Sequence, residues 1–393
     1  MLAVLGSALG LLIGILLMPI GFLVLQLVLS LPSCRPQIRK LDCWPKITVL
    51  IPAHNEAQVI GETLKGLKSG PARNCRIVVV AHNCTDETVD IARRMGTETV
   101  IVNNPKECGK GYALAGGIEH LQTEPPDIVV IVDADCTLSN DAVEHLASVV
   151  SETGLPVQSS YLMLPNEGGG IEQRVSAFAV AVANCVRSLG LQRMGLSCGL
   201  KGSGTAFPWH IIEQSNLRNG NIAEDLKLRI DLALKGIPTL FCPEAVTTSY
   251  LPMTAEAMLS QRIRWEHGHL QLILWGVPRL MWASMVRHDF GIFMSAIDLS
   301  IPPLTFVVYL LGAALAIAVL AQALGASPIG PVALLTAAVA LFASILLVWW
   351  RYGRDFLPLH SLGAIPLYVL QKFPIYLKFV FDRQKSWVRT SRT

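Results

Sequence analysis

The chain has 393 residues, of which 52% are hydrophobic and only 16% charged, so it is longer and more apolar than an ordinary soluble domain. The net charge of +3 is too small, and its basic residues sit too close to apolar segments, for a nucleic-acid-binding protein. Nine cysteines show neither a CxxC pair nor Cys/His ligand spacing, which argues against a zinc module and for reduced packing residues in a cytosolic domain.

Residues 1–34 carry no charge, follow no basic region and lack a convincing cleavage pattern. They predict one retained transmembrane helix, kinked at Pro19. Arg35, Arg39 and Lys40 follow immediately, which places the amino terminus outside and the next domain in the cytosol. That domain, residues 46–270, alternates β-branched runs with helical patterns. Ile47–Pro52, Arg76–Ala81, Thr99–Val102 and Asp127–Val132 read as strands of a mostly parallel α/β sheet. Ligands of such sheets bind at the carboxyl ends of strands, and those positions are polar here: His54, Asn55 and Glu56, then His82 and Asn83, then Asp133 and Asp135. A nicotinamide fold would need GxGxxG in the first turn, which is missing.

The chemistry-bearing residues follow. Asp133 and Asp135 leave an apolar strand separated by one small residue, a pair suited to hold a divalent cation, Mg or Mn, against a diphosphate. Glu224 and Asp225 open a helical pattern; they either cap it or supply a catalytic carboxylate, and Asp225 is the expected general base. Gln261, Arg264 and Trp265 share a helix face, an arrangement that offers a phosphate ligand and a flat surface for a sugar ring, or else only headgroup contacts. His82 either contacts a nucleotide base or is structural, and Asp86 is expected to cap the next helix. Phe207, Pro208 and Trp209 either stack a sugar or turn into a buried strand, and His267 and His269 lack a third ligand for a metal.

Residues 271–290 mix Trp275 and Trp282 with Arg279 and Arg287, the pattern of a helix lying at the membrane interface. Ile292–Leu324 and Val332–Trp350 predict a transmembrane hairpin within residues 291–351. Residues 356–381, interrupted by Pro358, Pro366 and Pro374, predict an interfacial or re-entrant segment rather than a third span, and residues 382–393 a basic cytosolic tail. The predicted spans lack buried charges and paired repeats, which argues against a transporter.

In order, a strand-end polar loop, DAD, ED and QxxRW followed by membrane segments resemble the family-2 glycosyltransferases, a family that includes cellulose, chitin and hyaluronan synthases and ceramide glucosyltransferase. IPAHNE, GKGYALAGGIEHL, GLKGSGTAFPW and the final PLYVLQKFPIYLKFV are similar too, the last to bacterial surface-polysaccharide members. The resemblance covers about Ile47 to Trp265. It implies a GT-A (nucleotide-diphospho-sugar transferase) fold, a UDP-sugar donor, inversion at the anomeric carbon and an integral protein of the bacterial inner membrane. Donor contacts would come from Pro52, Glu56, His82, Lys110, Asp133, Gln261 and Arg264, acceptor contacts from Trp265, Gly204 and Thr205, metal contacts from Asp133 and Asp135, and catalysis from Asp225 with Glu224. The acceptor would be a lipid, a lipid-linked sugar or a growing glycan, with partner proteins of a polysaccharide assembly system in attendance. One departure stands out: His82 occupies the place where the family usually has a base-binding Asp. The alternatives are transfer of a single sugar to a membrane lipid, which few spans favour, and a non-catalytic scaffold, which the retained Asp133, Asp135 and Asp225 disfavour.

Overall fold

The structure, a computed structural model, describes residues 2–33, 41, 43–218 and 224–381. Arg35, Arg39, Lys40, Ala223 and the basic tail lie outside them.

The chain opens with α1 (Leu2–Leu29), which contains Pro19. Then β1 (Ile47–Ala53), α2 (Ile60–Ser69), β2 (Arg76–His82), α3 (Thr88–Arg94), β3 (Glu98–Val102), α4 (Lys110–Leu121) and β4 (Ile128–Ile131) form the alternating unit that the sequence predicts. All seven residues of β1 are buried, as in a parallel strand covered on both faces by helices. α4 lies close against the sheet because Gly117 has no side chain: a Cβ there would come within 2.7 Å of Leu50 Cδ1 and 2.8 Å of Val80 Cγ2. This close approach sets Lys110, the first residue of α4, over the carboxyl ends of the strands.

The second half was harder to foresee. β5 (Thr137–Leu138), α5 (Ala142–Thr153), β6 (Val157–Leu164), α6 (Ile171–Ala181), α7 (Arg187–Arg193), β7 (Thr205–Pro208), α8 (Trp209–Ile212), α9 (Glu224–Leu234) and β8 (Leu240–Tyr250) complete an eight-stranded sheet ordered β3-β2-β1-β4-β7-β6-β8-β5. β1 pairs in parallel with β2 and β4, and β2 with β3, whereas β7 runs antiparallel to both β4 and β6. The sheet is mixed and mostly parallel.

α10 (Ala255–Arg287) is a single helix of 33 residues, so the expected division at residue 270 falls inside one rod. Its exposed Leu274, Trp275 and Trp282 continue into Phe290 of α11 (Phe290–Leu299), an apolar face of the kind that sits at headgroups. The expected span Ile292–Leu324 is two helices, α11 and α12 (Leu304–Ala323), because Pro302 and Pro303 remove consecutive backbone donors and clash with a preceding turn. α13 (Ile329–Val348) completes the hairpin and packs on α1.

Among the described residues, four helices are long and apolar enough to cross a membrane: Leu9–Leu29, Ile171–Arg193, Leu304–Ala323 and Ile329–Gly353. Ile171–Arg193, which the sequence reading missed, packs between β6 and α1 and is over half buried, so it joins the sheet to the apolar helices rather than standing among them. At Gly190 the two come so close that a Cβ would lie 2.1 Å from the Gln26 carbonyl oxygen. The final segment holds α14 (Ile365–Phe381). It is clamped to α10 by a buried ion pair, Lys372 Nζ to Glu266 Oε1 at 2.6 Å, and by the Arg262 guanidinium 4.9 Å from the Tyr368 ring centre.

Candidate active site

One cavity of about 790 Å³ opens at the carboxyl ends of β1, β2 and β4. Pro52, Glu56, His82, Lys110, Asp133, Asp135, Glu224, Asp225, Gln261, Arg264 and Trp265 all line it, so residues spread over two hundred positions meet at one place.

The Asp133 backbone N–H donates to Ser203 Oγ at 3.0 Å, which fixes the start of the DAD turn. The Lys110 ammonium contacts Asp133 Oδ1 and donates to the Gly202 carbonyl at 2.8 Å. Burial opposes its charge, but Asp133, Glu224 and Asp225 outweigh that and hold the lysine protonated above its ordinary range. Burial pushes Glu224 up to about 7, countered by Lys110 and reinforced by Asp225. Asp225 is raised too, chiefly by burial, against the Leu226 N–H, which donates to Oδ1 at 2.8 Å, and against Lys110 and Lys201. A buried carboxylate with a raised pKa is a stronger proton acceptor than a solvated one.

Among the described residues, one group of acidic and sulfur side chains converges closely enough to hold an ion: Asp133, Asp135 and Cys136, whose ligand atoms lie within 4.8 Å of one another. The two carboxylates supply the hard oxygen donors that Mg or Mn prefers. Cys136 fits less well. Its thiol, pushed far up by burial and by Asp135 and Asp133, lies 3.7 Å from Asp135 Oδ1 as a weak donor.

Several expected roles change. Gly204 and Thr205 are buried in the sheet and do not line the cavity: Thr205 Oγ1 donates to Gln158 Oε1 at 2.8 Å, and Gly204, at φ +66°, faces Ser159 and Thr247. Gly199, Leu200, Lys201 and Gly202 line it instead. Phe207, 1% exposed, and Pro208 lie buried in β7, Trp209 opens α8 half-buried, and neither aromatic is among the residues lining the cavity. His82 is 3% exposed, 6.4 Å from the Tyr112 ring and nearly parallel to it; burial and then His54 lower its pKa, so it is a neutral part of the wall. Asp86 Oδ1 accepts from the Thr88 N–H at 3.0 Å and Oδ2 from the Ala57 N–H at 3.1 Å, a cap and strut as expected. His267 Nε2 lies 3.0 Å from the Ile375 carbonyl, in the α14 clamp.

The sequence reading also missed Arg187, Lys201, Arg229 and Asp298 on the cavity wall. Asp298 contradicts the expectation of spans without buried charge: it sits, 4% exposed, inside the stretch 292–324. A lone acid in so apolar a run was the available signal.

Comparison with known proteins agrees with this fold. A mannosyltransferase, PcManGT from Pyrobaculum calidifontis, solved with GDP-Man and Mn2+, superposes with a TM-score of 0.56 at 19% identity, covering 98% of this chain and 100% of that one. The probable glycosyltransferase YdaM of Bacillus subtilis is 26% identical over 67% of this chain and 64% of its own length. The poly-beta-1,6-N-acetyl-D-glucosamine synthase of Staphylococcus aureus is 23% identical over 61% of this chain and 58% of its own. The chain thus spans less than two thirds of these two curated relatives. The profile described as glycosyltransferase like family 2 matches residues 45–268, the whole sheet and the first turns of α10, and the chain is a member of that glycosyltransferase family.

Proposed function

We propose that the chain is an inverting, metal-assisted transferase that moves a sugar from a nucleoside-diphosphate donor, uridine being the expected nucleoside, to an acceptor delivered at the membrane for surface-polysaccharide or glycolipid synthesis. One observation carries this reading: the cavity that holds Lys110, Asp133, Asp135 and Asp225 is also lined by Leu23 and Leu27 of α1 and by Leu304 of α12. A donor site and an apolar flank share one volume. The same flank favours a lipid or lipid-linked acceptor as the immediate substrate, and the catalytic domain would face the cytosol of a bacterial inner membrane.

In the proposed reaction the acceptor hydroxyl oxygen attacks the anomeric carbon from the face opposite the diphosphate. The new C–O bond forms as the bond to the β-phosphate oxygen breaks, the nucleoside diphosphate leaves with that electron pair, and the hydroxyl proton passes to the Asp225 carboxylate. Lys110 and Arg264 face the negative charge that develops on the leaving group. Asp133 and Asp135 would hold Mg or Mn, which when bound supplies further neutralisation of the diphosphate. Trp265, 38% exposed at the rim, offers its face to the acceptor sugar.

The test is nucleoside-diphosphate release by the full chain in detergent, screened over UDP- and GDP-sugars with Mn or Mg and with lipid and oligosaccharide acceptors. Release that depends on donor, metal and acceptor supports the reading; binding of a donor without release under any acceptor favours the scaffold.

A further inference from the structure

One stretch of the cavity wall is polar, buried and built from three helices. Arg262 and Glu266 of α10, Tyr368 and Lys372 of α14 and Ser176 of α6 line it. Glu266, Ser176, Tyr368 and Lys372 are between 5% and 8% exposed. Arg262 and Glu266 stand four residues apart and so share a face of α10, and Glu266 directly follows Trp265.

Most of the buried polar groups on this cavity satisfy one another. Arg262 Nη1 lies 2.7 Å from Glu172 Oε1, and Nη2 donates at 2.5 Å to Ser176 Oγ, itself 3.1 Å from the Tyr368 hydroxyl. Around Asp298, Arg187 Nη2 takes Oδ1 at 2.9 Å and Arg229 Nη2 takes Oδ2 at 2.6 Å, while Gln26 Nε2 donates to Oδ1 at 2.6 Å. Glu266 is the exception. Lys372 Nζ donates to its Oε1 at 2.6 Å, but Oε2, also buried, has no hydrogen-bond partner among the described residues. His145 Nδ1 and Tyr376 Oη share this lack, yet neither of those residues lines the cavity. The Tyr376 hydroxyl has Glu266 and Thr305 as neighbours and meets hydrogen-bond geometry with neither.

A buried carboxylate oxygen without a donor is unfavourable, and native structures retain one where a bound molecule completes it. The charges here already cancel in pairs, Lys372 with Glu266 and Arg262 with Glu172, so the open oxygen calls for a neutral donor rather than an ion. The Lys372 ammonium donates one hydrogen bond among the described residues and has two further N–H groups. An accepting oxygen beside a donating ammonium matches two adjacent hydroxyls of a sugar ring, one donating to Oε2 and the next accepting from Nζ. We propose that Glu266 and Lys372 form a subsite for a pair of neighbouring hydroxyls on the acceptor sugar. This rests on the transferase reading of the cavity and narrows the acceptor from any membrane lipid to one that carries a sugar. Through Lys372, α14 then touches the acceptor as well as clamping α10.

The experiment measures binding of the octyl β-glycosides of glucose, galactose, mannose and N-acetylglucosamine, beside octanol, to the full chain in a detergent without a sugar head. Wild type is expected to bind at least one glycoside at least about tenfold more tightly than octanol. Deoxy analogues of that glycoside should bind at least about fivefold more weakly when either of two neighbouring hydroxyls is missing. Glu266→Gln combined with Lys372→Met removes both charges together, so neither is stranded, and should shrink the advantage over octanol to within about threefold. Tyr376→Phe, outside the cavity lining, should keep it. Melting temperatures and nucleotide binding with Mn2+ serve as folding controls, and if the double variant does not fold the deoxy series on wild type decides. Glycosides that bind no better than octanol, deoxy analogues that bind as well as their parent, or an undiminished advantage in the folded double variant overturn the proposal. An equal loss in Tyr376→Phe assigns the effect to the packing of α14 and overturns it too. Because the readout is binding, absent sugar transfer with the advantage intact counts against the transferase reading and leaves this subsite standing.

Discussion

Lys110 Nζ lies 2.8 Å from the carbonyl oxygen of Gly202, a hydrogen bond that ties the first residue of α4 to the loop beside Asp225. The same ammonium contacts Asp133, so one side chain joins the DAD turn to the loop beside Asp225. Its position depends on α4 lying flat on the sheet through Gly117.

Replacing Lys110 with Met should therefore lower sugar transfer by at least about a hundredfold, since it removes a preorganised cation facing the leaving diphosphate. Steady-state nucleotide release measures this. Because the lysine faces three carboxylates, Asp133, Glu224 and Asp225, donor KM should rise as well as kcat fall.

The pH profile follows from the two buried acids. Asp225, the proposed base, is raised above its ordinary value chiefly by burial, so transfer should be lost on acidification at a higher pH than a solvated carboxylate would give. Glu224→Gln, which removes one of the interacting carboxylates, should move the remaining midpoint downward. Stability runs the other way. A carboxyl whose folded pKa lies above its unfolded value of 4.5 favours the fold below 4.5, and that contribution is lost as pH rises through about 7. Thermal melting of the metal-free protein between pH 4.5 and 8 checks the sign.

Metal removal gives a separable result. EDTA should abolish turnover, and Mn or Mg should restore it to wild type but not to Asp133→Asn or Asp135→Asn. Activity of either variant at wild-type metal concentrations would remove these carboxylates from the proposed metal site.

The strand-end half of this site was legible from residues alone. Parallel strands buried on both faces leave strong apolar runs, and the polar residues at their ends stand out, as Asp133 and Asp135 do after IVVI. The rest was not legible for physical reasons. β7 has four residues and pairs antiparallel between distant strands, so nothing local marks Gly204 and Thr205 as interior. The helix break at Pro302 and Pro303 has a plain sequence signal, but it was submerged in a continuous apolar stretch. The cluster around Asp298 draws on α1, α7, α9 and α11, and such a meeting point has no periodicity to read.

That cluster also makes a stability prediction. Asp298→Asn leaves Arg187 and Arg229 buried without their counter-ion and should destabilise the protein by about 3–5 kcal/mol, since breaking one side of a buried pair strands the other. A detergent-phase melting curve reads the loss.

The most direct test of the account is Asp225→Asn, with donor affinity and nucleotide release measured on the same preparation. The account predicts donor binding within about twofold of wild type and release reduced by about a hundred- to ten-thousandfold, because the amide keeps the shape but cannot take the proton. Release at the wild-type rate from this variant would contradict the assignment of Asp225 as the base.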